Sequence, residues 1–198
     1  MMPATDRKLI RADVIPMAEF ARMRQERRRA LLPVKKLRRL EVGPCACFYF
    51  ENYDTMWLQV HEMLFIEKGG EEQIAGELEA YNALIPQGRE LVATVMFEID
   101  DEVRRHNFLG RLGGVENTMF LSFAGETVKG EPERDTERST PEGKASSVHF
   151  VRFRFTDAEA AKFRAAGAQV VLGFKHPAYA HMAAMSEASR AELAKDFS

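Results

Sequence analysis

The sequence predicts a single α+β domain, mainly an antiparallel sheet with packed helices, entered through a basic N-terminal helical arm. Three observations lead there. The 198 residues, 45% of them hydrophobic, are enough to bury one core without a disulfide or metal staple. Short strand patterns rich in β-branched and aromatic residues are interleaved with short helical patterns. The charge is divided: residues 1–43 hold twelve Lys or Arg against five acids, a net of +7, while residues 44–198 carry −9. The organisation that follows is a basic arm over 1–43 and an α+β body over 44–198.

Along the chain, residues 12–31 have a helical pattern that would bury Ile15, Met17, Phe20, Met23 and Leu31. Pro16 suits its first turn, and Pro33 is expected to end or kink it. Residues 22–39 carry nine basic groups and one acid, Glu26. Leu40 to Pro44 read as a short strand closed by a turn, and 45–51 as a second strand. Asn52 or Asp54 can cap a helix over 53–67; Gly69-Gly70 breaks it, and another helix spans 71–82. Residues 90–99 read as a strand, 101–112 as a helix, and 118–124 as a strand with a partner near 126–130. The polar stretch 131–146 lacks apolar periodicity and reads as an exposed, mobile loop. Residues 148–155 alternate, with His149, Val151, Phe153 and Phe155 on one face. Thr156 and Glu159 form a capping box opening a helix, 168–174 read as a strand, and Ser186 starts a last short helix. The order strand, helix, strand recurs at 90–124 and 146–174, which suggests paired units within one sheet.

Several polar residues stand out against this scaffold. The helix over 53–67 is apolar on both sides, so it is expected to be buried, and Gln59 and Glu62 must then find partners in the interior or a cleft. His61 lies at the edge of the apolar stripe and reads as a core histidine satisfied locally or as a ligand. If the helices over 53–67 and 71–82 form an antiparallel hairpin, Glu62 and Glu77 lie at one level. Facing carboxylates share a proton or hold a hard cation; the alternative is that one points to solvent. His176-Pro177-Ala178-Tyr179 follows a strand, where His176 either shapes a turn or serves a metal or substrate. Cys45 and Cys47 would share one face of a strand, unsuited to a disulfide, and two thiols are too few for a metal site alone.

The basic stretch, with Arg27, Arg28, Lys35, Lys36, Arg38 and Arg39, suits an acidic partner or charge pairing within the protein. No aromatic residues interleave with it, which disfavours nucleic acid. No dinucleotide-binding glycine pattern, Walker loop, His-Glu-x-x-His or Gly-x-Ser-x-Gly occurs. No apolar run approaches the roughly 18 residues of a membrane span, and the first residues lack the apolar core of a secretory signal, so a cytoplasmic setting with no membrane association is expected.

One combination of segments is distinctive. Val42-Gly43-Pro44 leads to Phe50-Glu51-Asn52 and Thr55, then Gln59-Val60-His61-Glu62-Met63, then Glu77-Leu78-Glu79-Ala80-Tyr81-Asn82 through Pro86, and finally Gly173 and His176-Pro177-Ala178-Tyr179. From about residue 8 to 195 this resembles a bacterial family known as the domain of unknown function number 3501. The resemblance implies that Glu51, Asn52, Gln59, Glu62, Glu77, Tyr81, Asn82, His176 and Tyr179 are the recurring polar positions. It also implies a setting near rubrerythrin-like and iron–sulfur proteins. The expectation is an accessory protein of a redox or oxidative-stress pathway that binds a small ligand or a divalent metal through Glu51, Glu62, Glu77 and His176. The alternative is an interaction module whose basic arm docks an acidic redox partner. A third option is an enzyme with Glu62 or Glu77 as general base and Tyr81 or His176 as acid. A homo-oligomer stays open.

Overall fold

The computed structural model describes residues 7–133 and 143–198; residues 134–142, most of the stretch read as a loop, lie outside the described residues. Among the described residues, eight strands form one antiparallel sheet: β1 (Arg39–Val42), β2 (Ala46–Phe50), β3 (Glu90–Phe97), β4 (Met119–Phe123), β5 (Glu126–Pro132), β6 (Val148–Arg154), β7 (Val170–Phe174) and β8 (Met182–Ala184). Their order is β1-β2-β3-β6-β5-β4-β7-β8. The sheet curls into a nearly closed barrel, bringing β1 beside β8.

Alternation explains the barrel's filling. From β2, Phe48 and Phe50 point inward, from β3 Leu91, Ala93, Val95 and Phe97, and from β6 His149, Val151 and Phe153, all buried. The face expected for 148–155 is therefore the interior face. β4 and β5 meet in a two-residue turn at Ala124 and Gly125, with φ of 46° and 80°. Positive φ at both central positions matches the right-handed twist of the flanking strands. β5 continues to Pro132, so Glu131 and Pro132 are strand, paired with Arg152 and Val151. The repeated strand–helix–strand theme holds: β3 pairs with β6, and β4 with β7.

Among the described residues, six α-helices surround the sheet. α1 (Met17–Leu37) runs through Pro33 rather than ending there. Pro33 is exposed, so solvent can take the Arg29 carbonyl it leaves unbonded. Of the five side chains expected to be buried by the first helix, Phe20 alone is fully buried, against Trp57, His61 and Phe65. α2 (Tyr53–Glu67) begins at a reciprocal box: Asn52 Oδ1 accepts from Thr55 N at 2.9 Å and Thr55 Oγ1 from Asn52 N at 2.9 Å. α3 (Glu71–Asn82) follows after the Gly69-Gly70 break. These helices pack on the outside of the barrel, forming a second core from Leu9, Met56, Val60, Leu64, Ile74 and Leu84 against Val92.

α4 (Glu102–Leu109), α5 (Asp157–Arg164, capped by the expected Thr156–Glu159 box) and α6 (Glu187–Leu193, capped by Ser186) close the barrel ends. Phe123, Phe155, Phe163 and Phe197 cluster at one of them, Phe123 and Phe155 face to face and the other pairs edge-on. The basic arm is part of this single domain. α1 lies along α2, and residues 39–42 are a barrel strand. Among the described residues no helix is long and apolar enough to cross a membrane.

Candidate functional site

β2 ends at Phe50, whose side chain fills the barrel, so the period of two turns Glu51 to the outer face. There it is covered by the first turn of α2 and is 9% exposed. Thr55 Oγ1 donates to Glu51 Oε2 at 2.7 Å, and Thr94 Oγ1, from the outer face of β3, donates to Oε1 at 2.8 Å. The main chain is held as well: Glu51 N donates to Val92 O at 2.8 Å, and its carbonyl accepts from Arg38 Nη2 at 2.8 Å. Burial pushes the Glu51 carboxyl above the usual carboxylate range, against the opposing pull of the two hydroxyls and the charges of Lys35 and Arg38.

Glu51 stands at the wall of a cleft of about 380 Å3 between the outer face of β2, β3 and β6 and helices α1 to α3. Met56, Leu84, Met96, Val148 and Phe150 make its apolar surface. The polar groups are Glu51, Thr55 and Thr94, with Lys35, Arg38, Tyr49, Gln59 and Tyr81 around them. Gln59 and Tyr81 touch across the helical hairpin, Nε2 to hydroxyl, at 3.4 Å. Tyr49 donates to Glu98, and its phenol is shifted upward, chiefly by burial. An apolar cleft of this size with a few convergent polar groups and a perturbed carboxyl has the ordinary make-up of a small-molecule site.

Three of the ligand candidates marked from the sequence, Glu51, Gln59 and Tyr81, therefore line one cleft together with Lys35 and Arg38 of the basic stretch, and Asn52 sits beside it as the helix cap. The others lie elsewhere. Glu62 is clamped by Arg24 of α1, whose Nε is 3.0 Å from both carboxylate oxygens and Nη2 2.6 Å from one. Glu77 accepts from Gln73 Nε2 at 2.9 Å. The hairpin does set equivalent levels side by side, but its rotation joins Gln59 to Tyr81. Asn82 ties down the N-terminal segment, accepting from Leu9 N at 2.6 Å and donating to Leu9 O at 2.9 Å.

His176 and Tyr179 belong to the barrel seam. His176 Nδ1 accepts from Ala178 N, and Nε2 donates to Gly113 O, both at 3.2 Å. The Tyr179 hydroxyl accepts from Cys45 N and Ala46 N at 3.1 and 2.9 Å and donates to Val42 O at 2.8 Å, fastening the β1–β2 turn to the segment before β8. Gly43 completes the seam. Its φ is +71°, and a Cβ there would lie 2.6 Å from His181 and 2.8 Å from the Tyr179 hydroxyl. This seam is at the opposite end of β2 from Glu51, about 16 Å along the strand.

His61 is a fully buried core histidine stacked between Phe20 and Trp57. Nδ1 donates to Trp57 O at 2.7 Å and Nε2 accepts from Ile15 N at 3.1 Å, so the ring is neutral, with burial holding its pKa down. Cys45 and Cys47 are free thiols. Cys47 accepts from Arg39 Nε at 3.1 Å, and burial raises its pKa.

The basic residues divide in the same way. Arg38, grouped with the docking residues on sequence, is instead 2% exposed. It joins the end of β2 to the C-terminus, donating to Phe50 O, Glu51 O and both oxygens of Asp196. Arg39 pairs with Glu41 and Glu98 and lies over Tyr49. Arg27 lies over Trp57 at 5.4 Å. Arg28, Lys35 and Lys36 are exposed. Sequence reasoning missed Thr55 and Thr94 as partners of Glu51; the outward position of Thr94 in the alternation of 90–97 was its only signal.

Among the described residues, no three His, Cys, Asp or Glu side chains come together as a metal site. The groups around Glu51, two threonines, an amide, two phenols and the cations Lys35 and Arg38, suit an organic molecule better than a hard cation.

A family model described as "protein of unknown function (DUF3501)" matches residues 8–197. The chain is similar to a crystal structure from Burkholderia pseudomallei K96243, titled a novel protein of unknown function. The two share 36% identity over 96% of this chain and 100% of that one, with a TM-score of 0.89. No curated protein matches the chain in sequence.

Proposed function

The chain belongs to the DUF3501 family of proteins of unknown function, and from its cleft we propose that it binds a small, largely apolar organic molecule against the Glu51 carboxyl. The convergence of Glu51, Gln59 and Tyr81 on one apolar-walled cavity of about 380 Å3 supports this reading. Glu51 directly follows β2, while Gln59 and Tyr81 come from α2 and α3. Thr55 and Thr94 hold the carboxyl in one orientation, so a ligand meets a preorganised group. Its raised pKa also equips Glu51 to pass a proton to or from a bound molecule.

The direct test is a fragment screen followed by amide chemical shifts. Ligands of the cleft are expected to move the resonances of Thr55, Gln59 and Thr94 together. Val148→Trp, which fills the cleft from β6, is expected to abolish them. Fragments that bind the Val148→Trp variant undiminished would place the binding elsewhere and refute the reading.

A second reading rests on α1. Arg22, Arg28, Arg29 and Lys36 are exposed and make no ion pair among the described residues, and Leu32 between them is 64% exposed. This face suits an acidic protein surface, the iron–sulfur and rubrerythrin-like class included. Reversing charge at Arg28 and Lys36 is expected to abolish co-purification with such a partner. Association retained at low salt would count against it.

A further inference from the structure

Four carboxylates are buried among the described residues: Glu51, Glu90, Glu192 and Asp196. Three of them have basic partners. Glu90 meets Arg152 and Arg154, Glu192 meets Lys195 and Arg38, and Asp196 meets Arg38. Glu51 makes no ion pair with any described residue; its carboxylate partners are two threonine hydroxyls. It is also the one of the four that lines the cleft enclosed by α1 to α3. A buried carboxylate is stable as an ion only beside an opposite charge. Here the protein leaves that place open at a ligand-sized cavity.

Resting on the cleft reading above, we propose that the ligand is an amine, whose ammonium group is the missing counter-ion of Glu51. Its apolar body would lie along Met96, Val148 and Phe150, and Tyr49 and Tyr81 supply aromatic surface that also favours a cation. The volume suits a molecule of about a dozen non-hydrogen atoms. The charged and titratable groups facing Glu51 agree with this. Arg38 also lines the cleft, but its guanidinium is committed to Asp196 and to the main-chain carbonyls of Phe50 and Glu51, so it makes no ion pair with the Glu51 carboxylate. Tyr49 and Tyr81 bring phenols and no positive charge. Lys35 is an exposed ammonium on the rim and competes with the ligand for the same carboxylate.

The probes are matched sets: 2-phenylethylamine and hexylamine, the alcohols 2-phenylethanol and hexanol, and hexanoate. They are titrated by calorimetry and by the amide shifts of Thr55, Gln59 and Thr94. The amines are expected to bind at the cleft at least ten-fold more tightly than their alcohols. Glu51→Gln should remove that advantage, bringing each amine to the affinity of its alcohol. Lys35→Met, a surface change that does not depend on how Glu51→Gln folds, should tighten the amines and weaken hexanoate. Alcohols or hexanoate binding at the cleft as tightly as the amines would overturn the amine assignment and leave the ligand-binding reading standing. So would amine affinity indifferent to both variants. No response of the three resonances to any probe would overturn both.

Discussion

Arg38 ties the candidate site to the end of the chain, and its replacement by methionine gives the sharpest quantitative prediction. The guanidinium is 2% exposed and makes four hydrogen bonds: 2.9 Å to Phe50 O, 2.8 Å to Glu51 O, and 3.1 and 2.5 Å to the oxygens of Asp196. A methionine side chain in its place would occupy much of the volume with neither charge nor donor. Asp196, 8% exposed, would then be a buried carboxylate without its partner, a loss worth about 3–5 kcal/mol. The two carbonyls add about 1 kcal/mol more, since Glu51 O borders the cleft, where water replaces the lost donor. The expected total is about 5 kcal/mol, which for a chain of this length lowers Tm by roughly 10–20 °C. In urea the midpoint should fall by about 2 M. Arg38→Met/Asp196→Leu removes the stranded ion, so it should recover about 2–3 kcal/mol relative to additivity. A loss below about 1 kcal/mol for Arg38→Met, or strict additivity in the cycle, would refute the reasoning.

Three further outcomes are expected. The raised pKa of Glu51 means that the folded protein holds this proton more tightly than the unfolded chain. Its contribution to stability is therefore greatest below the ordinary glutamate range and is lost as pH rises through the folded value. Glu51→Gln should accordingly look more favourable relative to the parent in urea melts at pH 7 than at pH 4, and the reverse order would be inconsistent with a desolvated carboxyl. Tyr179→Phe leaves two N–H groups and the Val42 carbonyl without their shared partner at the seam. A loss of about 2–4 kcal/mol in denaturant melts is expected, with amide exchange accelerated at Cys45 and Ala46. His61, whose pKa burial depresses, binds a proton more readily when unfolded, so its contribution to stability is lost as pH falls below about 6.5 toward the folded value. Its ring carbons should show no titration near pH 6.5, and a shift there would contradict the neutral, Nδ1-protonated ring.

Much of the fold was legible because the signals were local. Asn52, one of the two expected caps, opens α2, the glycine pair separates it from α3, Thr156 and Glu159 open α5, and the alternation in β6 matches the barrel interior. β8 had no such signal. Its three residues are a strand because β7 supplies their hydrogen bonds. The site was legible only in part, for a related reason. Gln59 could be marked as a polar group needing a partner, and Glu51 and Tyr81 through the family resemblance, but Thr94 reaches Glu51 through the pairing of β2 with β3. The Glu62–Glu77 pairing was a matter of helix rotation, which spacing from a turn leaves undetermined, and Arg24 takes Glu62.

The charge division shows the same boundary. Residue order is enough to establish that a basic segment precedes an acidic body and that the chain folds as one α+β domain. Which charges are free is settled by packing. Arg38 lies in the interior on Asp196, from the far end of the chain, while Arg28 and Lys36 face solvent. Neighbouring residues on a helix point in different directions, and which direction is inside depends on what packs against it. By the same rule, Glu51 is a buried acid open to a cleft only because α1, α2 and α3 close over the outer face of the barrel.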